Sequence, residues 1–435
     1  MSDVPTFGYY AGAEWKEASG SAIFEVVEPY SRKLMSRVAA CGRAEARDAI
    51  VAASGAFPHW AAMPPAEKAA LFFKAANIVR NRAGEIADVL SRETGSTVAF
   101  SNFQQHLVIQ SLEAAASWVY YPLGETYPSN VSGRFSFSIR RPLGVVASFT
   151  PWNGANILSW RAVLAPIAAG NTVVVKPSEL APVSAGLIVA KIAEEAGFPA
   201  GVINVVPHAP GQAGTIADEI FASPHVRCIN LIGGVKTARM LAERAGKTLK
   251  RSVLELGGYN PLIVLDDVDV DYAVRSAVFG SFFHQGQICM NTRKVIIQRK
   301  IHDEFLEKFI QRAKQLPSGD PSNPETLIGP LVTPEAVRKV HQSVQEAAAL
   351  GARIETGGTH EGQVYQPTIL THVPYEATIS NEETFGPIVI VEPVDDVDDA
   401  VRAANRVSYG LVASILSGDT YRGLELAPRI MAGVF

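Results

Sequence analysis

From Gly144 to Leu265 the sequence alternates short apolar runs with longer helical ones, and this alternation restricts the possible folds more than any other feature. The apolar runs are Val145 to Phe149, Thr172 to Lys176, Val202 to Val206, Cys228 to Ile232 and Pro261 to Leu265. Between them lie Ser159 to Ala169, Val183 to Ala196, Gly211 to Ala222 and Val235 to Ala245, each of helical length. Strands joined through helices run parallel, so the pattern implies a parallel sheet covered on both faces. Ligands of such sheets gather beyond the carboxyl ends of the strands, and the residues that follow each apolar run become the first candidates for function.

The alternation resumes after Cys289, with strands expected at Lys294 to Gln298, Ile388 to Val391 and Val412 to Leu416, and helices at His302 to Gln315 and Pro334 to Leu350. This reads as a second α/β domain. Upstream, Ala44 to Phe57 predicts an alanine-rich helix. Leu71, Ala75, Ile78, Val79, Arg82, Ile86, Val89 and Leu90 then recur at three- and four-residue steps, which predicts one long amphipathic helix opened at Pro65 and closed by Gly95. Phe103 to Tyr120 supplies another helix, and Phe135 to Ile139 alternates with period two, as a strand does. A chain of 435 residues exceeds one ordinary domain, so two or three are expected, of the α/β class.

Charge excludes several classes of function. The 39 basic and 43 acidic side chains leave a formal charge of −4 with no block of either sign, so no nucleic acid and no anionic membrane surface is expected as a partner. Residues 142 to 160 are uncharged, but Pro142, Gly144, Pro151, Asn153, Gly154 and Asn156 break any membrane helix there. The N-terminus lacks a basic start and a continuous apolar core, so no secretory leader is expected. Cys41, Cys228 and Cys289 are odd in number and far apart, which suits neither a disulfide framework nor a metal site and points to a reducing cytoplasm.

Of the three cysteines, Cys289 has the most suggestive context, in Phe282-Phe283-His284-Gln285-Gly286-Gln287-Ile288-Cys289-Met290-Asn291-Thr292. A helical run from Asp271 to Phe283 ends at a glycine turn and leaves the thiol on a constrained loop. Such a thiol is a nucleophile if it is held partly as thiolate and if amide donors receive the developing oxyanion; otherwise it is a small buried apolar residue. Lys176 and Glu179 follow a strand, where they could bond the two hydroxyls of an adenosine ribose or form a solvated pair. Gly233 and Gly234 precede a helix whose first amides could meet a pyrophosphate. Asn153 follows the strand Val145 to Phe149 and could supply an oxyanion donor with the Cys289 amide, or simply cap the next helix. Glu255 stands between Leu254 and Leu256; a carboxylate in an apolar strand is costly unless paired or partly protonated, a tension that suits a general base.

Six motifs occur together and in order: Pro151-Trp152-Asn153, Lys176-Pro177-Ser178-Glu179, Gly233-Gly234, Leu254-Glu255-Leu256-Gly257-Gly258, the Cys289 loop, and Glu382-Glu383-Thr384-Phe385-Gly386-Pro387. Together they resemble the aldehyde dehydrogenase superfamily over nearly the whole chain. The resemblance implies a dinucleotide-binding domain at residues 1–120 and 142–255, a β oligomerisation arm at 121–141 and a catalytic cysteine domain at 256–435. It implies a small-molecule aldehyde as substrate, NAD as cofactor with NADP possible, and a homodimer or homotetramer. Cys289 becomes the nucleophile, Glu255 the base for hydrolysis and Asn153 the oxyanion donor. Trp152, Lys176, Ser178, Glu179, Gly211, Gly233, Gly234, Leu256, Gly257, Glu383 and Phe385 become cofactor contacts, with Glu179 favouring NAD by repelling an added phosphate. His284 matches a family asparagine and reads as structural. The aspartates at 266, 267, 269 and 271 read as a solvated turn and helix start, with no metal site expected.

Two departures bear on the family reading. Gly234 stands where the family has serine and Ala238 where it has glycine, which removes one phosphate contact. The sequence also stops at Ala432-Gly433-Val434-Phe435, ahead of the family's last strand, so pairing of subunits and full activity are expected to depend on that segment. Within the family, the Cys289 loop and Val278 to Phe282 are most similar to the benzaldehyde, salicylaldehyde and vanillin dehydrogenase branch. Gly154 replaces a phenylalanine of many aliphatic enzymes, so an aromatic pocket of Phe100, Phe103, Gly154, Leu158, Arg161 and Ile288 is expected. The alternatives are an aliphatic or semialdehyde dehydrogenase, and an impaired family member that acts as a binding or structural protein. Glu255 argues for hydrolysis over acyl transfer to coenzyme A.

Overall fold

The computed structural model describes residues 4–435. The chain forms two compact units: one holds the residues up to Val27 with Lys33–Glu93 and Asn102–Glu255, and the other holds Glu28–Arg32, Thr94–Ser101 and Leu256–Phe435. Both are built on a largely parallel sheet, as expected for the α/β class.

In the first unit seven strands lie in the order Arg251–Glu255, Val226–Ile232, Val145–Thr150, Thr172–Pro177, Ile203–Val205, Tyr9–Ala11, Glu14–Lys16. The first five run parallel; the N-terminal pair adds an antiparallel hairpin at one edge. Val145–Thr150 and Thr172–Pro177 are buried along their whole length, which is why they read as continuous β-branched runs rather than alternating ones. Helices Arg43–Ala62, Ala155–Ala168 and Ile188–Ala196 cover the sheet with a core that includes the fully buried Trp60, Phe72 and Trp160. The Trp60 indole donates to the Ile167 carbonyl at 3.0 Å, so its one polar atom is satisfied inside that core.

In the second unit six strands lie in the order Arg353–Thr356, Thr368–Thr371, Ile388–Val394, Thr292–Gln298, Asn260–Val264, Ser414–Leu416, parallel except for the first pair. Helices Val270–Phe282 and Arg299–Lys314 pack with the sheet through Phe282, Phe305 and Phe309. The four aspartates are all engaged. Asp269 caps the first of these helices by accepting from the Tyr272 amide at 2.6 Å, Asp271 pairs with Lys308, and Asp266 and Asp267 both meet Arg422.

Two expectations need correction. Pro261 to Leu265 belongs to the second sheet, and the place it was expected to take in the first is filled by Arg251–Glu255. That strand carries a weak signal because it is an edge strand with Arg251, Ser252, Val253 and Glu255 exposed. The long helix after Pro65 is two helices, Pro65–Asn81 and Ala83–Thr94, interrupted at Arg82 with φ −109°. Arg82 is held there by Glu85 and Glu195 at 2.6–2.9 Å, so a polar clamp overrides an unbroken apolar period. Residues 121–141 do contain a hairpin, Thr126–Tyr127 with Ser136–Phe137, exposed throughout. No helix among the described residues is long and apolar enough to cross a membrane.

Candidate active site

In the second unit the helix Val270–Phe282 ends and the chain passes through His284, Gln285 and Gly286, all with positive φ between 51° and 69°. Three successive left-handed residues, two of them not glycine, are a strained way to leave a helix, and such strain persists only where surrounding contacts fix it. The Gln285 side-chain amide donates to the Gly95 and Pro330 carbonyls, and His284 is buried with its ring stacked on Phe100 at 3.9 Å. A Cβ on Gly286 would lie 2.0 Å from the Gly386 carbonyl oxygen, so this turn admits no side chain.

Cys289 then sits partly exposed, whereas Cys41 and Cys228 are buried and burial raises the pKa of each thiol. Asn260 donates to the Cys289 carbonyl at 2.7 Å, and the Asn291 side chain accepts from the Ile288 amide at 2.8 Å. Beneath the loop lies Arg293, a residue the sequence reading passed over. Its guanidinium is buried and donates to the carbonyls of Gly286, Ile288 and Gly386 at 2.7–3.1 Å, which ties the cysteine loop to the Glu382–Pro387 motif. Desolvation lowers the Arg293 pKa, opposed by the charge of Glu383 and by Cys289, so the loop carries a buried positive group. The only sequence signal was a pair of basic residues, Arg293 and Lys294, directly ahead of the apolar run Val295 to Ile297.

Glu383 lies against Gly257, whose missing Cβ would fall 2.2 Å from Oε2. Burial raises the Glu383 pKa against the pull of Arg293 and of a hydrogen bond from the Gly258 amide. Its Oε1 is buried and accepts no hydrogen bond. Phe385 has φ 51° and lies with its ring 5.8 Å from the Arg293 guanidinium. Leu256 and Gly257 are half-buried at the start of this unit.

In the first unit Lys176 and Glu179 do not form a solvated pair. Lys176 is 8% exposed and donates to the Pro177 carbonyl at 3.0 Å and to His208 Nε2 at 2.6 Å. His208 Nδ1 lies 2.9 Å from the Ala209 carbonyl, which can only accept, so the proton is on Nδ1 and Nε2 is the acceptor. Burial pulls Lys176 down to about 8 and, with the Lys176 charge, His208 down to about 4. Glu179 stays half-buried, 3.8 Å from His208. His208 was not singled out in the sequence, since nothing in its local context separates it from a loop histidine. The Ser178 hydroxyl accepts from the Leu180 amide at 3.3 Å, Trp152 packs on the edge of the core, and Gly211 lies exposed before the helix Ala213–Ala222.

The glycine pair divides its work. The Gly233 amide donates to the Glu255 carbonyl at 3.0 Å, so it belongs to the sheet and is unavailable to a phosphate, contrary to expectation. Gly234 is the N-cap of the helix Val235–Lys247 and makes no side-chain bond to the amides of its first turn. Asn153 is 6% exposed, and the N-cap position of helix Ala155–Ala168 is Gly154. Glu255 is not in an apolar strand: the strand is the sheet edge and the residue is exposed. Partial burial of the carboxylate still raises its pKa, opposed by Arg161.

The pocket residues fall in both units and are described in each. Phe103 and Arg161 are exposed in the first unit, and Leu158 is half-buried there. A Cβ on Gly154 would meet Leu158 Cδ1 and Cγ at 3.0 Å, so the space beside this glycine is partly filled by the leucine one turn on. In the second unit Phe100 is 4% exposed and committed to His284 and Phe283, while Ile288 is half-buried beside Cys289.

Comparison with known proteins agrees over the full chain. The profile of the aldehyde dehydrogenase family matches residues 15–435. A vanillin dehydrogenase from Pseudomonas fluorescens is 39% identical over 434 residues, which is 100% of this chain and 89% of the relative. The crystal structure of a salicylaldehyde dehydrogenase from Pseudomonas putida G7, complexed with salicylaldehyde, superimposes with a TM-score of 0.97 at 35% identity, covering 99% of this chain and 89% of that one. An NAD-dependent benzaldehyde dehydrogenase from Corynebacterium glutamicum gives 0.94 at 35% identity over 98% and 93%. By sequence pattern, fold and full-length similarity, this chain is a member of the aldehyde dehydrogenase family, whose enzymes depend on NAD or NADP.

Proposed function

We propose that the chain oxidises an aromatic aldehyde to its carboxylic acid, with Cys289 as nucleophile. The observation that carries the assignment is the contrast among the cysteines: Cys289 alone is reachable, on a strained loop braced by a buried guanidinium. A nearby positive group favours thiolate over thiol. The thiolate sulfur adds to the carbonyl carbon, and the C=O pair moves onto oxygen to give a thiohemiacetal. The Cys289 amide and the Asn153 side chain are assigned to hold that oxyanion. Bound NAD would supply the hydride acceptor, leaving a thioester on Cys289. Glu255, ionised, would take a proton from water as the water oxygen attacks the thioester carbon, and the acid leaves as the C–S bond breaks.

The cofactor assignment has a specific fit in each unit. Glu383 Oε1 is a buried acceptor with no donor, and a ribose hydroxyl would satisfy it. Lys176, fixed by His208 and the Pro177 carbonyl, would present its remaining proton to the other ribose. The Glu179 carboxylate beside His208 favours NAD, because a further phosphate would meet its negative charge. The aromatic reading is supported by Gly154 and by full-length similarity to three enzymes of aromatic aldehydes. The exposed hairpin at 126–137 is assigned to pairing with a second copy of the chain.

The test is NADH formation with benzaldehyde, salicylaldehyde and vanillin beside hexanal and succinic semialdehyde. Aromatic aldehydes are expected to give the higher kcat/KM, and Cys289→Ala to lower turnover by ~10³-fold or more. Gly154→Phe in a Leu158→Ala background, which clears the space a ring needs, is expected to cut aromatic activity selectively. Equal rates on hexanal, or full aromatic activity in that double variant, would refute the aromatic assignment. Activity that survives Cys289→Ala would refute the nucleophile.

A further inference from the structure

In the second unit the helices Val270–Phe282 and Arg299–Lys314 pack side by side, with the Phe282 and Phe309 rings stacked at 5.8 Å. Charge along their seam follows the helical turn. In the first turn Asp271 pairs with Lys308 at 2.9 Å. One turn further on each helix the residues are Arg275 and Arg312, which carry the same sign; Lys308 first, then these two, hold the Asp271 carboxyl below its usual range. The Arg275 guanidinium lies 5.9 Å from the Tyr272 ring, and that of Arg312 makes no hydrogen bond or ion pair; both residues are exposed. Another turn on, the seam becomes apolar. A groove of about 460 Å³ runs along Phe279, Phe283, Leu316, Pro317 and Leu327. Arg275, Arg312 and Gln315 line its end and also line an adjoining polar cavity of about 380 Å³ that reaches Lys308 and Asp271.

Such a groove has the size of a small-molecule site, an aromatic wall and, at its polar end, three cations, Arg275, Lys308 and Arg312, against the one carboxylate of Asp271. We infer that it binds an arene carboxylate, with the ring in the trough along Phe279 and Phe283 and the carboxylate between Arg275 and Arg312. Planar guanidiniums match a carboxylate with paired hydrogen bonds, and flat rings match an aromatic wall. A purely apolar occupant would leave the excess positive charge of this end unanswered, since Asp271 offsets only one of the three cations, and a simple anion would leave the trough exposed to water. The inference rests on the lining alone and does not depend on which aldehyde the enzyme oxidises.

Titration of the intact enzyme with benzoate, benzyl alcohol and acetate, by calorimetry and by ligand-detected NMR, tests it. Benzoate is expected to bind at least about tenfold more tightly than either comparison compound. The Arg275→Ala/Arg312→Ala variant should lose at least about tenfold in benzoate affinity, with kcat/KM for benzaldehyde and Tm unchanged. Phe279→Ser should weaken benzoate and leave acetate as weak as before. Benzoate affinity that is the same in the double-arginine variant would overturn the proposal by placing the binding elsewhere. A change in sedimentation of that variant, with benzoate binding intact, would overturn it in favour of a second copy of the chain as the occupant.

Discussion

Lys176 is a residue held at a cost to the fold. Its pKa of about 8, set by burial, lies below the ordinary lysine value of 10.5, so folding disfavours the charged form. The sign follows from proton counts. Between pH 8 and 10.5 the unfolded chain keeps the lysine proton and the folded chain does not, so stability rises with pH across that window, and below pH 8 the penalty is complete. At neutral pH it is on the order of 3 kcal/mol. A side chain this expensive is explained by a ligand rather than by packing. Lys176→Met is therefore expected to leave Tm unchanged or raised, while affinity for NAD or ADP-ribose, read by calorimetry, falls at least about tenfold. A Tm drop of more than about 5 °C with nucleotide affinity retained would mean that Lys176 is structural. The candidate residues with chemistry of their own, Cys289, Lys176 and Glu255, were legible in the sequence because each lies at or just beyond an element end. His208 and Arg293 were not, because they act on those residues from 32 and 4 positions away through contacts that only the fold creates.

At the scale of elements, the π-turn Val183–Leu187 that opens helix Ile188–Ala196 begins on a carboxylate from another helix. Glu93, near the end of Ala83–Thr94, accepts from the amides of Val183 and Ser184 at 2.9 and 2.7 Å, and from the Ser184 hydroxyl. Those amides are orphans of a helix start and favour a negative charge, yet burial outweighs them and pushes Glu93 up to about 7. Between about pH 4.5 and 7 the folded chain holds a proton that the unfolded chain has released, so stability falls as pH rises through that window and then levels off. Denaturant titrations are expected to show this loss, at most about 3 kcal/mol between pH 5 and 8, and Glu93→Gln is expected to flatten it. The same slope in both proteins would assign the loss to other groups. Periodicity found the helices and buried strands here because each carries a one-sided or continuous apolar signal. It missed the Arg82 break and the exposed strand Arg251–Glu255, where ion pairs and backbone pairing, rather than apolar burial, decide the structure.

At the scale of the molecule, the pattern of alternation announced two sheets, but not which short segments belong to which unit. Glu28–Arg32 and Thr94–Ser101 lie far upstream of the second unit and yet are part of it, the latter held by Gln285 on the Gly95 carbonyl. Such membership depends on single long-range hydrogen bonds and leaves no local trace. The hairpin at 126–137 poses the opposite problem, since it is plain in the sequence and incomplete in one copy of the chain. Leu123, Tyr127, Val131, Phe135, Phe137 and Ile139 are all exposed, with Phe135 at 74%, and a two-stranded hairpin of this length is marginal by itself in water. An apolar arm of this kind needs a covering surface, and a second copy of the chain, which presents the same arm, can provide one through a two-fold contact. The protein is accordingly expected to sediment as a dimer or larger species at micromolar concentration. Phe135→Ser/Phe137→Ser/Ile139→Ser should shift it towards the monomer, with the near-UV signal of the two sheets retained. Hydrogen exchange supplies the second reading: amides of Thr126–Tyr127 and Ser136–Phe137 should be protected in the native protein and exchange freely in the triple variant. A native protein that sediments as a monomer with these amides protected would show that the arm is stable alone and would remove the argument for a partner.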